Sequence, residues 1–120
     1  MTETGRGTPG YKAPELLQPG RITYSNKVDI WAVGCIFYLL VFHTKVFNGN
    51  DNEVLRYGQQ CTHQIAIPSD RIPDKKQRPI VQDILGSALH FSPLSRPEAS
   101  DIHTRILECC RSIYLIFLLS

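Results

Sequence analysis

Residues 28–42, Val-Asp-Ile-Trp-Ala-Val-Gly-Cys-Ile-Phe-Tyr-Leu-Leu-Val-Phe, constrain this chain more than any other stretch. Asp29 is the one charge, and none follows from Ile30 to Phe42. A surface helix carries an apolar stripe and a polar back. This run is apolar all round and is expected to be buried on every side. Strands usually run about 3–10 residues, so length favours a helix. Ser25 offers an N-cap, and His43-Thr44-Lys45 closes the run with polar groups. The run falls short of the ~18–20 apolar residues that a membrane span needs. It reads as a central core helix, and the rest of the chain must surround it.

A chain of 120 residues suits one domain with its own core. The net charge of +2 is too small to argue for nucleic acid or an anionic membrane surface. Cys35, Cys61, Cys109 and Cys110 show no paired metal spacing, so no metal site is expected. Cys35 falls within the apolar helix, where a free thiol behaves as a small hydrophobe. Polar residues follow Met1, and no signal peptide is visible. A reduced intracellular protein, cytoplasmic or nuclear, is expected.

Residues 1–14 read as loop, being rich in Thr, Gly and Pro. Gly5-Arg6-Gly7-Thr8-Pro9-Gly10 meets the pattern G-x-G-x-x-G by chance. No strand precedes it, no helix opens from it, and Pro9 lacks the N–H that a phosphate would need. Pro14 and Glu15 suit a short first helix that ends at Gln18-Pro19-Gly20. After a turn at Val46–Gly49, Asn50 with Glu53 forms a capping-box pattern for a helix of roughly 51–60, with Val54 and Leu55 as its apolar contacts. Residues 65–79 read as loop, and Arg71, Lys75, Lys76 and Arg78 as a solvated face. Pro79 starts a helix whose Ile80, Val81, Ile84, Leu85, Ala88 and Leu89 share one face. Pro97 opens a last helix with Ile102, Ile106 and Leu107 on one side. The apolar run Ile113–Leu119 is too short to span a bilayer. It is an extra packing segment, able to fold back over the core, or an accident of where the chain ends. The expected fold is mainly α, with no evident sheet.

Three motifs then point to a family. Gly7-Thr8-Pro9-Gly10-Tyr11-Lys12-Ala13-Pro14-Glu15 resembles the end of the activation segment of a serine/threonine protein kinase, with its A-P-E signature. Asp29-Ile30-Trp31-Ala32-Val33-Gly34 resembles the D-x-W-x-x-G of the family's central large-lobe helix. Phe91-Ser92-Pro93-Leu94-Ser95-Arg96-Pro97 resembles the closing x-x-P-x-x-R-P segment. They occur in the family's order. The resemblance implies a partial protein-kinase-like fold, a helical C-lobe fragment around one buried helix, over residues 1–107. Residues 108–120 are then an apolar tail.

The resemblance also implies roles. Glu15 and Arg96 match the family's buried ion pair, a type of contact in which carboxylate and guanidinium meet bidentately. Gly7, Thr8 and Tyr11 match the loop that shapes the substrate acceptor site, and Thr8 favours a Ser/Thr hydroxyl. Asp29 and Trp31 match the anchors of the core helix. In the family, the counterpart of Asp29 accepts hydrogen bonds from the catalytic loop; without that loop Asp29 must reach solvent, Ser25 or a backbone N–H, or lose its charge. Thr4 lies where activation loops are often phosphorylated.

Phosphoryl transfer needs a glycine-rich loop and its lysine, an H-R-D loop with a downstream Asn, and a D-F-G for Mg²⁺. Neither H-R-D nor D-F-G occurs in these residues. No catalytic residue is therefore assigned, and the chain alone is expected neither to bind ATP nor to transfer phosphate. ATP and Mg²⁺ belong to the parent family. The leading expectation is a fragment of a serine/threonine protein kinase. The alternative is a catalytically dead kinase-like binding module that meets substrates or regulators through residues 51–60 and 7–15. A third reading is an unrelated all-α protein. With the covering helix of the family missing, self-association through exposed apolar surface is also expected.

Overall fold

The structure, a computed structural model, describes residues 11–17, 26–48, 50–59 and 67–119, with side chains through Tyr57 in the third stretch and through Arg111 in the last. Five α-helices follow in order: α1 (Pro14–Leu17), α2 (Lys27–Phe42), α3 (Asp51–Gln59), α4 (Arg78–Ala88) and α5 (Ala99–Leu119). Short 3₁₀ turns lie at Ser69–Arg71 and Pro93–Ser95. No strand occurs among the described residues.

Helix α2 is the centre. Asn26 stands at its N-terminus without a side-chain cap bond, and Ser25, the expected cap, lies outside the described residues. His43 closes it in the left-handed conformation, with φ 58°, and donates its N–H to the Leu39 carbonyl. Gly34 sits where α4 crosses closely. A Cβ there would lie 2.9 Å from Ala88 Cβ and 2.9 Å from Leu89 Cδ2, so the absent side chain is what brings the two helices together. Ile30, Trp31, Cys35, Phe37 and Phe42 of α2 are buried against Val81, Ile84, Leu85, Ala88 and Leu89, with Ile102 of α5 behind them.

Burial on every side does not hold for α2. Asp29 faces solvent, and on the same side Ile36 is 48% and Leu40 69% exposed. Of the alternatives open to Asp29, exposure to water is the one adopted. Below that face, Phe37, Leu40, Val41, Ile72, Val81 and Ile106 line an open apolar groove of about 440 Å³.

Other expectations need correction in detail. At α3 the Asn50 side chain does accept from the Asn52 N–H, at 2.8 Å. The reciprocal half of the box is absent: Glu53 turns to Arg56 at 3.0 Å, and the Asn50 N–H donates to Phe47 O. A nearby guanidinium outcompetes a backbone N–H for that carboxylate. Arg71 and Arg78 are not merely solvated. Arg71 donates to Phe42 O and lies over the Phe42 ring, and Arg78 donates to Ile72 O. Ile80 and Leu107 stand off the buried faces of their helices. Residues 108–119 are not a separate segment folded back on the core. They prolong α5 to Leu119, with Cys109 buried and its thiol 3.6 Å from Gln77 Oε1. No helix among the described residues is long and apolar enough to cross a membrane.

Candidate functional site

Pro14 starts α1, and Glu15 follows in its first turn. Residues 93–98 bring Arg96 to the same place from the far end of the sequence. The 3₁₀ turn at Pro93–Ser95 ends with Arg96 in extended backbone, its N–H bonded to Pro93 O. The Arg96 side chain is wholly buried and that of Glu15 is 19% exposed. Nη1 donates to Glu15 Oε2 at 2.8 Å and Nη2 to Oε1 at 2.9 Å, a bidentate pair between residues 81 positions apart.

The remaining donors of the guanidinium are also engaged. Nε donates to His90 O at 2.8 Å, Nη1 to Lys27 O at 3.0 Å, and Nη2 to Phe91 O at 3.2 Å. All five N–H groups thus have acceptors, which is the condition for a buried guanidinium to be tolerated. One carboxylate balances the charge. The guanidinium carbon also lies 5.0 Å over the Trp31 ring, where the negative face of the π-system attracts it.

Trp31 joins this anchor to the core. Its ring stacks on Phe47, with centroids 5.5 Å apart and planes 7° from parallel, and tilts against Tyr57. Tyr57 brings α3 into the cluster and donates its hydroxyl to Leu89 O at 2.9 Å. Trp31 Nε1 is buried without a hydrogen-bond partner. Burial pushes the Tyr57 hydroxyl up to about 12, with the Arg96 charge opposing. Burial likewise pushes the Cys35 thiol up to about 12, again against Arg96, so this thiol stays protonated at neutral pH.

The segment before α1 is held as well. Tyr11 packs partly buried on the core, and Lys12 Nζ lies 3.9 Å from Asp51 at the start of α3. Thr4, Gly7 and Thr8 lie outside the described residues. Asp29 faces solvent, two residues from Trp31, and touches neither Glu15 nor Arg96 in the contacts above. No group of three His, Cys, Asp or Glu side chains that could hold a metal occurs among the described residues.

Sequence reasoning missed the parts played by four residues. His90 and Phe91 act through backbone carbonyls, which carry no side-chain signal. Lys27 acts through both its carbonyl and its ammonium, and nothing in the helical periodicity marks it. Tyr57 had a visible signal, lying three residues after Val54 on the same face of α3, both of them buried.

Comparison with known proteins identifies the family. Residues 1–106 match the protein kinase domain family. Serine/threonine-protein kinase Nek1 of Toxoplasma gondii is 56% identical over 102 residues, which is 82% of this chain and 6% of that protein. Serine/threonine-protein kinase PLK1 of Xenopus laevis is 33% identical over 98 residues, 80% of this chain and 14% of its own length. The cell cycle serine/threonine-protein kinase CDC5/MSD2 of Saccharomyces cerevisiae is 29% identical over 96 residues, 80% of this chain and 13% of its own length. The chain therefore spans less than a quarter of the length of these relatives. A buried Glu–Arg anchor under a central helix, and a match that covers nearly the whole sequence, lead to one conclusion: the chain belongs to the protein kinase domain family.

Proposed function

We propose that these residues are the lower, helical part of the large lobe of a serine/threonine protein kinase, and that their work is to hold the end of the activation segment in place for a protein substrate. The observation that carries this reading is the bidentate contact between Glu15 and the wholly buried Arg96. It fastens residues 11–17 to the segment that precedes α5, across the N-terminus of α2. Gly7, Thr8 and Tyr11, which precede α1, would shape the acceptor site, and Thr4 would be the position open to phosphorylation.

The residues present do not fit ATP and Mg²⁺. The sequence has no D-F-G for the metal and no H-R-D to supply a base. Phosphoryl transfer rests almost wholly on positioning and charge stabilisation of the γ-phosphate, so nucleotide and metal would be held by segments outside these residues. The location that suits such a kinase is the cytoplasm or nucleus.

The test has two arms. Purified chain is assayed for γ-phosphate transfer to a serine- and threonine-containing protein, and no transfer above a mock preparation is expected. The same residues are then joined to the small lobe, catalytic loop and D-F-G segment of a related serine/threonine kinase. The joined protein is expected to phosphorylate serine or threonine, and Glu15→Ala is expected to abolish most of that rate. Transfer by the chain alone, or a joined protein indifferent to Glu15→Ala, would contradict the proposal.

A further inference from the structure

Lys27 is the first residue of α2, where the helix dipole is positive and a cation is locally disfavoured. A residue that breaks a local preference is expected to gain something elsewhere. Lys27 is no free surface lysine: its side chain is 12% exposed. Its Nζ donates to the Arg96 carbonyl at 2.8 Å and to Glu98 Oε1 at 3.0 Å. In return its own carbonyl accepts from Arg96 Nη1 at 3.0 Å. Residues 27 and 96 therefore grip each other in both directions.

The carbonyl of Arg96 needs this donor. Pro97 follows it, and the first α5 bond in the chain runs from the Ile102 N–H to Glu98 O, which leaves residue 96 outside the helix ladder. Nη1 is the shared atom. It serves Lys27 O and Glu15 Oε2 at once, so displacement of residue 96 from the start of α2 moves Nη1 away from Glu15. Glu98 is 69% exposed and contributes little, and the partly buried bond to the carbonyl is the one that counts.

We propose that Lys27 is a positioning residue for the activation-segment anchor: its ammonium fixes the Arg96 peptide against α2 so that the guanidinium meets Glu15 bidentately. This rests on the reading of residues 11–17 given above. Lys27 touches no reacting atom. It acts on residues 11–17 through Arg96.

Limited trypsin digestion of the full chain tests it, because Lys12, 11% exposed and 3.9 Å from Asp51, is a cleavage site three residues before Glu15, in the segment that the anchor is proposed to hold. Lys27→Met is expected to speed the cut after Lys12 about tenfold, the factor for loss of one charged hydrogen bond. The cut after Arg105, within α5, should keep its rate. The emission of Trp31, the single tryptophan, should move toward that of Arg96→Ala, since the cation leaves its ring. Lys27→Arg should restore the slow cut and the emission, whereas Glu98→Gln should change neither. If Lys27→Met leaves both readouts at wild-type values while Arg96→Ala releases Lys12, the assignment of Lys27 is wrong and the anchor stands. Equal acceleration at Lys12 and Arg105 means a general stability role and also overturns the assignment. If Arg96→Ala fails to release Lys12, the anchor reading itself falls.

Discussion

Arg96 turns a shape requirement into a sequence requirement. Its five donors face two carboxylate oxygens and three carbonyls that come from three separate stretches of chain. Only a planar fork satisfies that set, since an ammonium offers three donors from one point. Arg96→Lys is therefore expected to cost about 3–5 kcal/mol, close to removal of the partner from a buried pair, although the charge is kept. Urea unfolding followed by Trp31 emission measures it. Gly34→Ala acts at the other contact that admits a single residue type. The added methyl meets Ala88 and Leu89 at 2.9 Å, and overpacking of this kind typically costs about 1–3 kcal/mol. The same denaturant curve reads it. The pairing of Glu15 with Arg96 was legible only through family motifs. Hydrophobic periodicity says nothing of which charges meet across 81 positions. The carbonyl partners at 27, 90 and 91 had no signal at all, because any residue type supplies a carbonyl.

At the scale of elements, the sequence pattern served best where burial is one-sided. The face of α4 that packs on α2 follows the apolar spacing through Val81, Ile84, Leu85, Ala88 and Leu89. It misled at α2, where composition predicts burial all round and Ile36 and Leu40 meet water. A helix apolar on all sides does not mark which of its faces its neighbours will cover. The open face adjoins the groove floored by Phe37, Val41 and Ile106. Ile36→Lys with Leu40→Lys is expected to reduce binding of an apolar dye. Substitution at exposed sites typically shifts stability by less than about 0.5 kcal/mol, so the thermal midpoint should hold. The helix that closes the chain misled in the opposite sense. The change in composition after Leu107 suggests a break, but α5 continues without one to Leu119. A helix ladder tolerates a switch from mixed to apolar side chains because its bonds are made by the main chain.

For the molecule as a whole, high pH is the informative axis. Cys35 and Tyr57 both sit in the core with their titrations raised by burial, from 9.0 to about 12 and from 10.0 to about 12. Below the unfolded values both states bind the proton, and neither group makes stability depend on pH. Above them the unfolded chain loses protons that the folded chain keeps. Stability contributed by the neutral buried groups is therefore lost as pH rises from about 9 toward about 12. Thermal midpoints by circular dichroism are expected to fall over that window, and Cys35→Ala should make the fall shallower, while the Cys109 thiol, also pushed up by burial, keeps part of it. The reversal after α2 carries a further consequence. His43 holds φ 58°, a hand that branched side chains resist, and it stands between the helix bearing Trp31 and the turn bearing Phe47. The direction in which the chain doubles back, and with it the flat seat that Phe47 finds on the indole, hinges on one backbone rotation. Glycine at 43 would make that rotation without strain, whereas valine there would oppose it by about 1–3 kcal/mol and prise the two rings apart before any core residue had been touched.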